Sequence, residues 1–243
     1  MFESTLPFGA PDLMRVSAFR RYLDEMVADG DAPSTRLAAL SPSLMADLLR
    51  FEQRGRQTEL LEVLAASVRH ARALAIHLQC DDRVLPLSVF PTERMAHCPV
   101  PMTQFLAMRL PELEVMHVEP ALLRPPGDKE RSLLHDAELY VPLGPVTWEL
   151  ALRGARGELL PEISGLAAYR IPPGVNLQVL DLTGSLAAAV ARMQRQTTNL
   201  KDMASWPGFD RERATRLLNA LYLQAGLMVT RTHPAATNDG WAP

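Results

Sequence analysis

Arginines beside short polar residues are the side chains of this chain best suited to recognition chemistry. Arg211, Arg213, Arg216, Asn219 and Gln224 recur along one stretch, and Arg231 follows an apolar run. At helical spacing they share an outer face. Such a face can reach phosphates, guanine edges or the carboxylates of a partner. Arg153 and Arg156 flank Gly154, with Arg170 farther on. The guanidinium fork matches phosphate oxygens, so these three form a second candidate site, for a nucleotide or phosphate ligand.

Metal and nucleophile chemistry find less support. His77, Cys80, His97 and Cys98 are zinc-type ligands. Strand alternation sends His77 and Cys80 to opposite faces. His97 and Cys98 are adjacent, and no CxxC-type pair exists. No metal is expected; His97 and Cys98 come nearest to a site. No Gly-x-Ser-x-Gly elbow occurs. The glycines form neither a Walker nor a dinucleotide pattern. Glu158 with Glu162, and Asp136 with Glu138, read as surface carboxylates. The expectation is a chain with no catalytic residue and no cofactor.

The elements that would carry these residues follow from periodicity. Leu13, Val16, Phe19, Leu23 and Met26 recur at three and four, which predicts a helix over 13–28. Ser41-Pro42 predicts a helix start, and a further helix begins near Gln57. Leu74 to Cys80 alternates as a strand, Asp81-Asp82 turns, and Val84 to Phe90 returns, a hairpin. A short helix near 102–109, strands over 113–118 and 139–141, a helix over 145–153 and a strand at 169–171 complete the first part. Residues 1–12 read as loose and 124–132 as an exposed loop. Pro172-Pro173-Gly174 predicts a boundary, dividing an α+β domain over 1–173 from a unit over 174–243, with 1–56 able to form a helical arm.

Beyond that boundary, Leu186, Val190 and Met193 mark a helix, and Thr197-Thr198-Asn199 caps the next. Trp206-Pro207-Gly208-Phe209 is a turn. Asp210 caps a long helix, Gly226 stops it, and Leu227 to Arg231 reads as a strand. No second strand follows.

The pattern Leu200-Lys201-Asp202-Met203-Ala204, Gly208, Arg216-Leu217-Leu218, Leu221 and Gly226-Leu227-Met228-Val229 resembles the winged-helix superfamily. It is similar to MarR- and IclR-like regulators, and to peptide-recognising PqqD-like modules. The element order over 57–153 is similar to roadblock-like and PAS/GAF-like sensory modules. Those resemblances imply a DNA reader or a protein-docking unit, attached to a sensing or adaptor domain.

Composition helps to choose. The chain has 243 residues and a net charge of −3, with 47% hydrophobic and 22% charged residues. Nucleic-acid binders commonly carry a basic excess, which this chain lacks overall. DNA binding is therefore disfavoured. No signal peptide and no bilayer-length apolar run is evident, and two cysteines make no disulfide framework. The expectation is a cytoplasmic, bacterial-type regulatory or adaptor protein, non-enzymatic and without membrane contact. It binds another protein or itself as a homodimer. A DNA-binding regulator and a nucleotide- or phosphate-sensing protein are the alternatives.

Overall fold

The computed structural model describes residues 13–28, 41–44, 46–47, 59–123, 139–177, 179–180 and 182–236. The loose segment at 1–12, the loop at 124–132 and the helix start near Gln57 lie outside them.

The first apolar stripe becomes α1 (Val16–Ala28). It lies on the sheet's hairpin. Val16 N donates to Asp82 O at 2.9 Å, and Val84 N donates to Met14 O at 2.8 Å. Phe19 is buried and stacks on His77 with ring centroids 4.8 Å apart. Ser41 caps the next helical turn as expected, its Oγ accepting from Leu44 N at 3.4 Å. The apolar run after Glu59 forms α2 (Leu60–His70), buried along most of its length.

Alternation then gives β1 (Leu74–Cys80) and β2 (Arg83–Phe90). Asp81 makes the turn at a φ of 53°, a region that Asp tolerates. Leu74 pairs with Val89, Ile76 with Leu87 and Leu78 with Leu85. One face of the hairpin is thus apolar from end to end, and its cross-strand pairs hold the register. β3 (Met95–His97) adds to β2. Then come α3 (Met102–Ala107) and β4 (Glu114–Pro120), which pairs with β1 across an irregularity at His77/Leu78. β5 (Tyr140–Pro142) pairs with β3 and runs directly into α4 (Leu143–Arg153). The sheet is antiparallel, in the order β4-β1-β2-β3-β5.

The rest of the chain builds β6 (Ala168–Arg170), α5 (Gly184–Arg195), α6 (Leu200–Ala204), α7 (Arg211–Leu223) and β7 (Met228–Thr230). Two expected caps form. Asn199 Oδ1 accepts from Asp202 N at 2.8 Å, and Asp210 Oδ1 accepts from Arg213 N at 2.7 Å. The end of α7 differs in detail from the sequence reading. Ala225, not Gly226, takes the left-handed conformation, at a φ of 52°. Gly226 serves a different need: a Cβ there would lie 3.1 Å from Val175 Cγ1. Its glycine permits close packing rather than the turn.

β7 pairs with β6, some sixty residues earlier, and β6 also bridges to Thr198 through Tyr169. β6 therefore lies between Thr198 and β7. The sequence shows no second strand after α7 because its partner comes from before α5.

The helices set how the two stretches join. α7 packs along α4, and α2 touches both. One cluster of buried apolar residues includes Leu64, Leu87 and Leu150 from the first stretch and Leu217, Leu218 and Leu221 from the second. Each of the last three is wholly buried. Burial of a leucine side chain contributes about 1.5–3 kcal/mol, so this seam holds the two stretches strongly together. The architecture is α+β: helices and a five-stranded antiparallel sheet, with a two-stranded ribbon at the C-terminal side. Among the described residues, no helix is long and apolar enough to cross a membrane.

Candidate functional site

The polar residues expected on the outer face of α7 have three different fates. Asn219 is wholly buried. Its Oδ1 accepts from Leu160 N and its Nδ2 donates to Glu158 O, both at 2.9 Å. Gln224 Nε2 donates to Gly144 O and to Thr147 Oγ1, both at 3.0 Å. Arg216 Nη1 donates to Leu152 O at 2.8 Å, and Nη2 pairs with Glu212 at 2.7 Å. These three bond to α4 and the 158–160 segment, with Asn219 buried and Arg216 and Gln224 half-buried. Polar side chains expected on a solvated face instead satisfy carbonyls at the ends of α4 and in its following loop. From Ala214 to Leu223, α7 is covered almost all round. Only its first turn, with Arg211 and Arg213, is exposed.

Arg231 is exposed but anchored. Its Nη1 donates to Ser164 O at 2.8 Å and its Nη2 to Glu162 O at 3.3 Å, which fixes the 162–166 turn against the end of β7.

The three arginines of the second candidate site do not converge on one site. Arg153 pairs with Glu149 at 3.2 Å, one helical turn back. Arg170 lies on β6, opposite Met228. Arg156 is a hub. Its Nη1 pairs with Glu59 and, at 2.7 Å, with Glu62. Its Nε and Nη2 donate to Glu158 O and Leu159 O, both at 2.7 Å. Burial raises the Glu59 carboxyl above its usual range, while the Arg156 charge pulls it back down. Arg156 thus spends its donors inside the protein.

A cavity of about 310 Å³ opens beside this hub, with Leu60, Leu61, Leu110 and Leu150 among its walls. Glu59, Glu112, Glu114 and Arg156 are its charged lining residues. That balance is unfavourable for a phosphate.

His97 and Cys98 part company at the end of β3. His97 faces Tyr140, with ring centroids 4.7 Å apart. Cys98 is wholly buried in the core. Burial pushes its thiol up to about 11, offset only in part by a backbone hydrogen bond from Val100. A thiol in that state is a poor nucleophile and a poor metal ligand. Among the described residues, no group of three or more His, Cys, Asp and Glu side chains is arranged to hold a metal. Native protein is expected to react with iodoacetamide at Cys80 and not at Cys98, with both reacting in urea. Mass spectrometry of the alkylated protein checks this, and native labelling of Cys98 would contradict it.

What stays accessible is the ribbon. β7 is paired on one side, by β6, and has no strand on the other among the described residues. Met228 is 49% exposed and Leu166 is 47% exposed. Leu166 O accepts from Arg231 Nη1 at 3.5 Å, which places Leu166 at the end of β7. An open strand edge beside exposed apolar side chains can take a further strand. The sequence pointed to this strand but missed Leu166, whose approach depends on the fold of the 162–166 turn. Searches against protein-family models, curated proteins and solved structures gave no match to this chain.

Proposed function

We propose that this chain is a non-enzymatic regulatory or adaptor protein of the cytoplasm, acting by docking another protein or a second copy of itself. The observation that carries the reading is the edge of β7 that has no strand partner among the described residues, flanked by exposed Met228 and Leu166. Main-chain hydrogen bonds along such an edge supply affinity, and the flanking apolar side chains supply selectivity.

The C-terminal unit is read as winged-helix-like, with α5, α6 and α7 in order and β7 as the wing strand. β6 stands in for the second wing strand, since it lies between Thr198 and β7. The DNA-reading alternative needs α7 to lie in a major groove with its polar face on the bases. Arg216, Asn219 and Gln224 are instead engaged with α4 and the 158–160 segment. This supports docking over groove reading.

A Met228→Lys variant tests the proposal. Met228 is half-exposed, so the change is expected to alter stability by no more than about 0.5 kcal/mol. It is expected to abolish the complex that wild-type protein forms, measured by sedimentation velocity on the protein captured from its host. Wild-type protein that sediments as a bare monomer contradicts the reading, as does a variant that keeps its complex.

A further inference from the structure

The C-terminal unit carries a charge opposite to that of the whole chain. Residues 174–243 hold seven Lys and Arg against five Asp and Glu, while the complete chain has a net charge of −3. Arg192, Arg195, Lys201, Arg211 and Arg213 are all exposed. Among the described residues, Arg192, Arg195 and Arg213 have no carboxylate within ion-pair distance. Arg69 and Arg156, in contrast, each bind two carboxylates, and Arg216 binds one.

Two of these free arginines are held in place. The Arg192 guanidinium lies 4.5 Å over the Trp206 ring, and the Arg213 guanidinium lies 5.5 Å from the Phe209 ring. The two rings meet edge to face, with centroids 6.3 Å apart. Arg192, Trp206, Phe209 and Arg213 therefore form one continuous row from α5 across the turn to α7. Trp206 is buried, and Gly208 makes the tight turn between the rings at a φ of 76°. A guanidinium stacked on a ring keeps its N–H edge free and loses little further freedom on binding a carboxylate.

We propose that this row is a second docking site, which takes an acidic segment of a partner protein. Carboxylates of that segment bond to the N–H edges of Arg192 and Arg213, and Arg195 adds charge beside them. A nucleic acid fits less well. Asp202, Asp210 and Glu212 are exposed among the cations and oppose a continuous phosphate track. Past its first turn α7 is covered, so that helix has no long face free to enter a groove. The site rests on the reading of the chain as a protein-docking unit. It does not use β7, so its failure and that of the β7 reading can be told apart.

The test is fluorescence anisotropy with a labelled twelve-residue peptide of Asp, Glu, Gly and Ser, at low salt. Wild-type protein is expected to bind it, and binding is expected to fall as salt screens the charges. Arg192→Gln with Arg213→Gln is expected to weaken binding by about tenfold or more, since charge-assisted bidentate bonds are lost. Arg192→Lys with Arg213→Lys keeps the charge and loses the planar fork, and is expected to fall between the two. Arg109→Gln with Arg153→Gln, on exposed arginines elsewhere, is expected to bind like wild type. Circular dichroism checks that each variant is folded. The proposal is overturned by no peptide binding at low salt. It is also overturned by unchanged binding in the glutamine pair, or by a random DNA duplex binding more tightly than the peptide.

Discussion

Arg156→Ala is expected to destabilise the protein by about 3–5 kcal/mol, the usual cost of removing one partner from a buried ion pair. Arg156 is 10% exposed and Glu62 is 11% exposed, so little solvent screens the pair. The variant removes the cation that bridges Glu59 and Glu62. It also leaves Glu158 O and Leu159 O without their donor. Chemical denaturation in urea, read as a change in midpoint at constant slope, measures the loss.

The loss has a predictable pH dependence. Burial already raises the Glu59 carboxyl in wild type, and Arg156 counters the rise. Without Arg156 the Glu59 carboxyl binds its proton more tightly still in the folded state than in the unfolded chain. Protonation then favours the fold, and that stabilisation is lost as pH climbs through the folded-state values. The gap between variant and wild type is thus expected to be widest near neutral pH and to narrow toward pH 4. A gap that widens on acidification would contradict this account of the hub.

Asn219→Ala is expected to carry the second large effect. The side chain is wholly buried and satisfies two backbone groups, Leu160 N and Glu158 O. Truncation orphans both, at about 1–3 kcal/mol each. Asn219→Asp keeps the acceptor for Leu160 N and has an O–H to replace the amide donor only while protonated, so it is expected to fall between alanine and wild type at low pH. The same urea midpoints check both variants. If Asn219 were a recognition residue on an exposed face, Asn219→Ala would leave the midpoint unchanged and affect binding alone.

Those two predictions fall on residues that sequence reasoning assigned to ligands, and the reason is physical. Local rules found the elements whose causes are local. The alternation of Leu74 to Cys80, the Asp81 turn and the caps at Asn199 and Asp210 all act within a few residues, and each formed as expected. Helical periodicity also located α7. It could not show that α4 would cover the polar side of that helix. Arg216, Asn219 and Gln224 look like a solvated stripe because their partners lie some sixty to eighty residues earlier. Arg156 looked like a phosphate ligand for the same reason, since Glu59 and Glu62 are more than ninety residues away. β3 has three residues, too few to show alternation. The pairing of β6 with β7 was equally hidden, because strand partners leave no mark in sequence spacing when a helical unit intervenes. Of the recognition residues expected on α7, Arg211 and Arg213 keep an exposed position. Among the described residues, β7 also keeps one edge without a strand partner.

The most direct test of docking at that edge is site-specific photo-crosslinking in the native host. A photoreactive side chain would be placed at position 228, and in a control at exposed Asp82 in the β1–β2 turn. The account predicts one discrete crosslinked product from position 228, to a partner protein or to a second copy, and none from position 82. It further predicts that a Val229→Pro change, which removes the N–H that β7 turns away from β6, diminishes that product. Folded protein that yields no crosslink from position 228, or the same products from both positions, would contradict the claim that β7 is the docking edge.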